Sequence, residues 1–342
     1  MSPRISPTLR SLAIVVVALV VSLLLLGVSQ FVNAMTLGAI YALVALGYTM
    51  VYGIIELINF AHGDVFMVGA FASLWILTVP LGIDPSKPPI DDPLRLAGIL
   101  LIVILAVMVF MGVVGLIIER FAYRPLRHAP RLAPLITAIG VSFILQNIIQ
   151  SLFGPSPHPS PQIFPKVDVL TVPSFNLLGL QVDGGTFRGL NTFMVVAAIV
   201  LMVALQVFVG RTRLGRAMRA TAQDREAAEL MGVDINQTIA ITFFIAAALA
   251  GAAGVIQGLY FGSVQFNLGF FSGLKAFTAA VLGGIGSLPG AMLGGLLIGL
   301  LDTFWAGYFS SEYHDVATFA ILIVVLIFRP TGLLGKPEVE KV

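Results

Sequence analysis

The sequence predicts an all-α polytopic membrane protein, with about ten transmembrane segments in two inverted five-span repeats that contain broken helices. Three observations support this fold class. Of the 342 residues, 58% are hydrophobic and only 11% are charged, and the mean hydropathy is +1.00, whereas soluble domains carry about 25% charged residues. Uncharged runs reach the roughly 20 residues that cross a bilayer. Lys and Arg also concentrate in alternate loops, which is the pattern of the positive-inside rule.

Apolar runs of spanning length recur along the whole chain. We predict spans at Leu12–Gln30, Asn33–Tyr52, Val65–Pro80, Ala97–Ile118, Leu132–Phe153, Asn191–Val209 and from Thr238 onward. The run Ala276–Leu301 is interrupted by several glycines and by Pro289, which favours a short helix, a tight turn and a second helix. A last span covers Asp315–Phe328.

The first span has a second interpretation. Arg4 and Arg10 precede an apolar run that ends near Gly27, and this arrangement is also typical of a signal peptide. The apolar run is longer than the usual h-region of about 7–15 residues. We therefore expect the segment to be retained as a membrane span.

The distribution of basic residues predicts which loops face the cytoplasm. With a cytoplasmic N-terminus, the inner segments hold 14 of the 19 Lys and Arg residues, chiefly in Glu119–Arg131, in Arg211–Gln237 and in the tail. The outer loops Leu81–Leu96, Gly154–Leu190 and Phe309–His314 hold four. Because cytoplasmic loops are enriched in Lys and Arg, we expect both termini in the cytoplasm. The family resemblance described below implies that the membrane is the cytoplasmic (inner) membrane of a bacterium.

Composition and motifs argue against several chemistries. The chain has no cysteine, so disulfides and thiolate sites are excluded. Its histidines, at 62, 128, 158 and 314, have no metal-ligand spacing, and we expect neither a metal site nor catalytic residues. No G-x-x-x-x-G-K-[ST] loop occurs, and Gly283–Gly286 lacks the lysine. We therefore expect no ATPase site and no cofactor bound by this chain.

Each half of the chain contains a polar, glycine-containing break after a span. We predict one membrane domain, 1–342, with repeat one at about 11–153 and repeat two at about 191–328. Paired interruptions of this kind indicate a substrate pathway at the repeat interface, because unwound backbone at membrane depth must line protein or water. The candidate pathway residues in the two breaks are Glu56, Asn59, His62, Asp64, Gln265, Asn267 and Lys275.

Acidic residues in or beside spans are functional hypotheses by default, and each here has a structural alternative. Asp64 can cap its helix and complement the helix dipole. Glu56 can lie at the membrane interface, and Asp302 can make an interhelical hydrogen bond. The small residues spaced at Gly290–Gly294 and Gly295–Gly299 predict close helix packing, either within this chain or with a second subunit.

The segment 210–237 is the only long charged stretch of the chain. Its arginines alone are typical of a solvated cytoplasmic loop that fixes the orientation of the chain in the membrane. The acidic stretch that follows needs another explanation, because acidic residues contribute little to membrane orientation. We therefore predict a short amphipathic helix, Arg216–Gly232, that docks another protein on the cytoplasmic side. The candidate coupling residues are Arg216, Arg219, Glu226, Ala227, Ala228 and Gly232.

Several blocks of the sequence resemble one family. Residues 226–232, Glu-Ala-Ala-x-x-x-Gly, resemble the core of the cytoplasmic-loop motif in permease subunits of bacterial ATP-binding cassette importers, although the downstream hydrophobic-proline part is missing. The chain is similar, over nearly its whole length from residue 31, to branched-chain amino acid permease subunits of the LivH type. The blocks that carry this similarity are 33–47, 51–53, 58–64 (Ile-Asn-Phe-Ala-His-Gly-Asp), 279–290 and 329–333.

The resemblance implies a transport function and a set of partners. It implies a heterodimer with a second permease subunit, two cytoplasmic ATPase subunits that use ATP, and an external binding protein, periplasmic or extracellular, that delivers Leu, Ile or Val. The same permease type serves other amino acids, urea and short amides, so the identity of the substrate stays open. The sequence also leaves open whether the dimer is a heterodimer or a homodimer. The alternative classes are a stand-alone carrier or channel for a small polar solute, and a non-transporting scaffold. Nucleic acid is not an expected partner, since the net charge is only +2.

Overall fold

The structure, a computed structural model, describes residues 7–127, 129, 130, 132–177, 180–309, 312–329 and 331–335. Arg4, His128, Arg131 and Pro330, which entered the sequence argument, lie outside these residues. The described chain is mostly helical. In order, its helices are α1 (Pro7–Ile55), α2 (His62–Thr78), α3 (Pro93–Ile118), α4 (Leu132–Phe153), α5 (Gly189–Arg211), α6 (Arg213–Gln223), α7 (Arg225–Leu230), α8 (Ile235–Phe261), α9 (Leu268–Gly283), α10 (Leu288–Tyr308) and α11 (His314–Phe328).

Helix length and composition agree with a multi-pass membrane protein. Within the described residues, six helical stretches are long and apolar enough to cross a membrane. They are Leu19–Ile55, Pro93–Leu126, Leu132–Phe153, Gly189–Arg211, Ile235–Phe261 and Leu288–Tyr308. Three further apolar helices are shorter: α2, α9 and α11 have 17, 16 and 15 residues.

The break in α1 differs from the sequence prediction. We predicted two spans separated between Gln30 and Asn33, but the helical dihedrals are interrupted at Gly27, where φ is +70° and ψ is 171°. The next amide, of Val28, donates to the carbonyl oxygen of Asp183 at 2.9 Å instead of continuing the helix. Glycine adopts a positive φ without steric cost, so the break is fixed by Gly27 together with a loop far away in the sequence.

Short strands occupy the long loop between α4 and α5, which corrects the all-α prediction in detail. Three antiparallel pairs form: β1 with β6, β2 with β5, and β3 with β4. The strands are β1 (His158–Pro159), β2 (Asp168–Val172), β3 (Phe175–Leu177), β4 (Leu180–Val182), β5 (Gly185–Arg188) and β6 (Ser263–Val264). The β1–β6 pair attaches this loop to the segment that follows α8.

The helix connections alternate between two faces of the protein. α5 has 23 residues, about 35 Å of helix, and runs from β5 at one end to α6 at the other. We call these ends the hairpin face and the α6–α7 face. α2, α4, α8 and α10 run toward the hairpin face, while α3, α5, α9 and α11 run back. The predicted helix–turn–helix at Ala276–Leu301 is confirmed as the end of α9, a turn and α10.

Close helix packing uses small residues, and its partner helices belong to this chain. The backbone at Gly295 contacts Ala42 in α1, and Gly299 contacts Gly38 in the same helix. In α8, Gly251 packs against Met111 of α3. The most extensive helix contacts are accordingly α1 with α10 and α3 with α8.

Candidate functional site

The two predicted breaks lead into helices that meet inside the fold. α2 starts from the α6–α7 face and α9 from the hairpin face. Even so, Gly63 contacts the backbone of Gly269, and a Cβ on Gly63 would come within 2.8 Å of the Gly273 Cα atom. Helices that start from opposite faces touch at their first turns only if both starts are recessed. The crossing of α2 and α9 therefore lies near the middle of the protein's depth.

Asp64 lies at this crossing, in the first turn of α2, and is buried. Its carboxylate accepts hydrogen bonds from the Ser142 hydroxyl and from Gln146 Nε2, the latter at 2.9 Å. Ser142 is in the middle of α4, which confirms the depth. The N-cap of α2 is Ala61, with no side-chain cap hydrogen bond. The suggestion that Asp64 caps α2 is therefore wrong, although its position in the first turn does complement the helix dipole. Its carboxylate also joins α2 to α4.

Asn59 and His62 are both buried next to the crossing. Asn59 Oδ1 accepts from the Tyr123 hydroxyl at 2.9 Å and from the Ala61 amide at 3.1 Å. The first of these bonds ties the first break to the π-helical turn Glu119–Tyr123, which follows α3. His62 packs edge-on against Tyr48, with ring centroids 4.8 Å apart. Its Nε2 has no hydrogen-bond partner in the part of the chain that the structure describes.

Glu56 lies apart from this polar centre. It is exposed, and its φ of +53° ends α1, with its amide donating to the Tyr52 carbonyl at 2.8 Å. It lines a cavity of about 170 Å³ on the α6–α7 face together with Arg127 and Arg225. The structure therefore places Glu56 beside the predicted docking loop.

A second polar centre forms around Lys275 in α9. The Lys275 Nζ atom is 3.0 Å from each carboxylate oxygen of Asp302 in α10 and 2.6 Å from Asp315 Oδ1 in α11. The hydroxyl of Tyr41, in α1, donates to Asp302 Oδ2 at 3.1 Å. Lys275 and Asp302 are both buried. The interhelical hydrogen bond suggested for Asp302 is thus present, as part of a cluster that joins four helices.

This cluster faces a cavity of about 680 Å³ between α1, α8, α9, α10 and α11. Such a volume is within the range of small-molecule sites in proteins. Of the predicted pathway residues, Gln265 and Lys275 line it. Its other polar lining residues include Gln30, Asn33, Gln257, Ser263 and Thr303, and its apolar ones include Leu37, Phe261, Leu268 and Phe271.

A neighbouring cavity of about 580 Å³ lies between α4 and α9 and is mainly apolar. Asn267, another predicted pathway residue, lines it, as do Ser142 and Gln146, the partners of Asp64. Phe271 borders both cavities. The start of α9 therefore separates a charged cavity from an apolar one. The second break lines both cavities, through Gln265 and Asn267, whereas the first break lines only the apolar one, through Phe60.

Potential metal ligands also meet in the charged cavity. Asp302, His314 and Asp315 offer ligand atoms within 4.8 Å of one another. Their spacing in the sequence does not match a known metal-binding motif. The Lys275 ammonium, however, already contacts both carboxylates. Since a divalent cation would have to displace it, the donor set fits an ammonium group better than a metal.

The predicted docking segment forms two helices rather than the single helix Arg216–Gly232. Asp224 is extended, with φ −159° and ψ 113°, and its carboxylate caps α7 by accepting from the Ala227 amide at 3.1 Å. α7 ends at Leu230, two residues before the predicted end at Gly232, whose φ of +83° lies outside the helical region. Asp residues favour N-cap positions, and this preference breaks the run.

Of the six candidate coupling residues, only Ala228 is buried. The Arg219 guanidinium donates to the Val209 carbonyl and that of Arg216 to the Arg211 carbonyl, the latter at 3.5 Å, so both arginines lie against the end of α5. Ala228 is buried. The other candidates, Arg216, Arg219, Glu226, Ala227 and Gly232, are exposed.

The sequence argument missed several residues of these sites. Leu230 and Met231, at the tip of the docking segment, are 88% and 85% exposed. An apolar pair in a charged loop is the signal that could have identified them. Ser142, Gln146 and Gln257 could have been found as polar residues inside apolar runs. Nothing in the sequence indicates that Asp315 reaches Lys275.

These features define a class: a multi-pass membrane transport protein, with recessed helix breaks beside two cavities and a separate two-helix loop at one face. Comparison with known proteins gives the family. Residues 30–326 match the family described as "Branched-chain amino acid transport system / permease component". The chain belongs to this family, and the resemblance seen in the sequence is confirmed.

Individual relatives are similar over almost their full length. The chain is 44% identical over 313 residues to the high-affinity branched-chain amino acid transport system permease protein BraD of Pseudomonas aeruginosa, covering 92% of this chain and 97% of BraD. It is 43% identical over 317 residues to the corresponding LivH protein of Escherichia coli K12, with the same coverage. A probable LivH permease of Methanocaldococcus jannaschii is 25% identical and covers 86% of this chain and 88% of that protein.

Proposed function

We propose that this chain is the permease subunit of an ATP-binding cassette importer for the branched-chain amino acids Leu, Ile and Val. The observation that carries the proposal is its membership of the permease family, with 44% identity to a relative named for high-affinity transport of these substrates. In the proposed assembly it pairs with a second permease subunit. Two ATPase subunits use ATP, and an external binding protein delivers the substrate. Urea or a short amide is less favoured, because the most similar relatives named above carry branched-chain substrates in their names.

The proposed membrane arrangement has ten spans in two inverted repeats. The division of α1 at Gly27 and the three short apolar helices supply the spans beyond the six long ones. The helix packing supports the repeats. If α1 corresponds to α8 and α3 to α10, the contact of α1 with α10 is equivalent to the contact of α8 with α3, and these are the two most extensive helix contacts. The equivalent helices α2 and α9 cross each other, as expected for elements next to a pseudo-two-fold axis.

The proposed substrate pathway passes the start of α9. Phe271 borders both the charged and the apolar cavity, and the recessed starts of α2 and α9 expose backbone where it can line a cavity. Much of the α4 surface beside the apolar cavity consists of exposed large hydrophobic side chains, including Ile136, Phe143 and Ile144. In the proposed dimer, part of this surface faces the partner subunit.

The proposed docking site for the ATPase subunits is the α6–α7 loop, on the cytoplasmic side. Two side chains support this choice: Leu230 and Met231 protrude beside Glu226 and Gly232. Exposed apolar residues with a charged rim are typical of protein interaction surfaces. The ATPase site itself belongs to the partners, since this chain contains no P-loop motif.

Reconstitution into liposomes tests the proposal. The chain with its co-expressed partner subunits and binding protein is expected to accumulate leucine only when ATP is supplied to the ATPase side. The chain alone is expected to accumulate none, with or without a proton or sodium gradient. Gradient-driven uptake by the lone chain would instead identify a secondary carrier, and ATP-driven uptake of urea but not leucine would correct the substrate.

A further inference from the structure

The charged cavity has one negative charge more than it has positive partners. Lys275 supplies the single ammonium group that contacts both Asp302 and Asp315. Tyr41 adds a neutral hydrogen bond to Asp302 only. His314 Nε2 is 3.6 Å from Asp315 Oδ1 and adds charge only when protonated. Because an uncompensated carboxylate charge attracts opposite charge, the cluster favours the arrival of another cation.

Asp315 is the carboxylate that a ligand can reach. Its side chain is 32% exposed, whereas that of Asp302 is 5% exposed and accepts hydrogen bonds from Lys275 through both oxygens. A cationic group that enters the cavity can therefore pair with Asp315 while the Lys275–Asp302 ion pair remains intact.

Gln257 brings a polar side chain to the same cavity. It is 4% exposed and lines the cavity wall. Its side-chain amide offers an NH₂ donor and a carbonyl acceptor. The NH₂ group of Gln257 can therefore donate to an acceptor inside the cavity.

The remaining wall suits an aliphatic group. Leu37, Leu268 and Phe271 line the cavity together with the polar residues. Small-molecule sites commonly combine an apolar lining with a few polar groups that fix orientation.

We propose that this cavity binds an α-amino acid, with the ammonium group against Asp315, the carboxylate hydrogen-bonded by the Gln257 amide, and the side chain against Leu37, Leu268 and Phe271. The site deepens the proposed function and rests on it for the identity of the aliphatic substrate. In this arrangement Lys275 holds the two carboxylates in place and attracts the ligand's carboxylate, so that both charges of the zwitterion have a counterpart.

Ligand protection of a single thiol tests the site in the full-length chain in nanodiscs. The chain has no cysteine, and Gly307 lines the cavity with nothing within 4 Å of an added Cβ atom. We expect L-leucine and isoamylamine, which lacks the carboxylate, to slow maleimide labelling of the Gly307→Cys variant. We expect 4-methylpentanoate, which lacks the ammonium group, to leave labelling unchanged. Adding Asp315→Asn should weaken protection by leucine and isoamylamine roughly tenfold.

Two controls keep the test specific. The Gly210→Cys variant, at the other end of the protein and also with nothing near an added Cβ atom, should show no ligand protection. Asp84→Asn, in the exposed loop after α2, should leave protection of the Gly307→Cys variant unchanged.

Other outcomes overturn the proposal. Equal protection by 4-methylpentanoate would show that the ligand's ammonium group is not needed for binding. Unchanged protection in Asp315→Asn would show that the Asp315 carboxylate does not bind the ligand. Protection by Zn²⁺ but not by the amines would identify a metal site. If the assembled importer takes up leucine while no ligand protects the thiol, the site is wrong and the proposed function stands. If leucine neither protects the thiol nor is transported by the assembled importer, leucine import as the proposed function is wrong, and the amino-acid site that rests on it is wrong as well.

Discussion

Arg225, the first residue of α7, donates a hydrogen bond from Nη2 to the carbonyl oxygen of Ile54 at 3.0 Å. Ile54 is in the last turn of α1, two residues before Glu56, whose left-handed φ of +53° ends the helix. The chain then passes through the first break to Asp64, at the crossing of α2 and α9. The Arg225 side chain therefore joins the docking loop to the end of α1, from which the first break leads to the middle of the protein.

We expect this hydrogen bond to transmit movement of the docking loop to the break. In Arg225→Gln, leucine transport per ATP hydrolysed should fall about tenfold, because a hydrogen bond from a charged donor contributes roughly 1.5–3 kcal/mol. Arg225→Lys, which retains a charged donor, should recover part of the loss. The measurement is leucine uptake and ATP hydrolysis in the same proteoliposomes.

The matched control for Arg225 is Arg213→Gln, an exposed arginine at the start of α6, which should behave as the unmodified chain. ATPase subunits should still co-purify with Arg225→Gln. An unchanged transport ratio in that variant would limit Arg225 to a local structural role.

The exposed tip of the docking segment should carry binding to the ATPase subunits. Leu230→Asp and the charge reversal Glu226→Lys should each reduce ATPase co-purification by at least about tenfold, since truncating or charging an interface anchor costs 2 kcal/mol or more. Both side chains are exposed, so the amount of inserted chain should not change. Normal co-purification and transport in both variants would show that the segment is a solvated loop.

Gly232 should contribute through its backbone conformation as well as its small size. Its φ is +83°, where a residue with a Cβ atom costs roughly 1–2 kcal/mol and Asn costs less. Gly232→Leu should therefore weaken ATPase co-purification more than Gly232→Asn. Equal retention of the ATPase subunits by both variants would mean that neither the turn nor its space matters for docking.

Sequence patterns could predict the elements whose cause is local. α4 matches the predicted span Leu132–Phe153 and ends before Gly154 and Pro155, and the turn between α9 and α10 follows from its glycines and Pro289. Spans are set by the length of apolar runs, so their positions can be derived from the sequence. Whether they form ten spans in two repeats remains a proposal.

The parts that could not be predicted depend on contacts between distant segments. The break in α1 lies at Gly27 because the Val28 amide bonds to Asp183. The cluster at Lys275 takes Asp302 from one helix and Asp315 from another. In the sequence, Asp315 is only the start of a span. Side chains that meet only after the helices pack leave no periodic or motif signal.

The crossing of α2 and α9 should tolerate no side chain at Gly63. A Cβ atom there would overlap the backbone carbonyl of Gly269, and overpacking a tight contact costs about 1–3 kcal/mol or more. Gly63→Val should lower the unfolding temperature by more than about 5 °C in a thermal unfolding assay in detergent. Gly98→Val, in α3 with nothing near the added Cβ atom, is the control. Equal stability of the two variants would contradict the close backbone contact.

The two faces of the protein should label from opposite sides of the membrane. The chain has no cysteine, so a single introduced thiol reports without background. Ser86→Cys, in the exposed loop after α2, should react with a membrane-impermeant maleimide in intact cells. Leu230→Cys, at the tip of α7, should react only after the cells are permeabilised, because the excess of Lys and Arg around it predicts a cytoplasmic position. The reverse pattern would place the docking loop outside the cell, where ATPase subunits could not reach it, and would overturn the proposed importer.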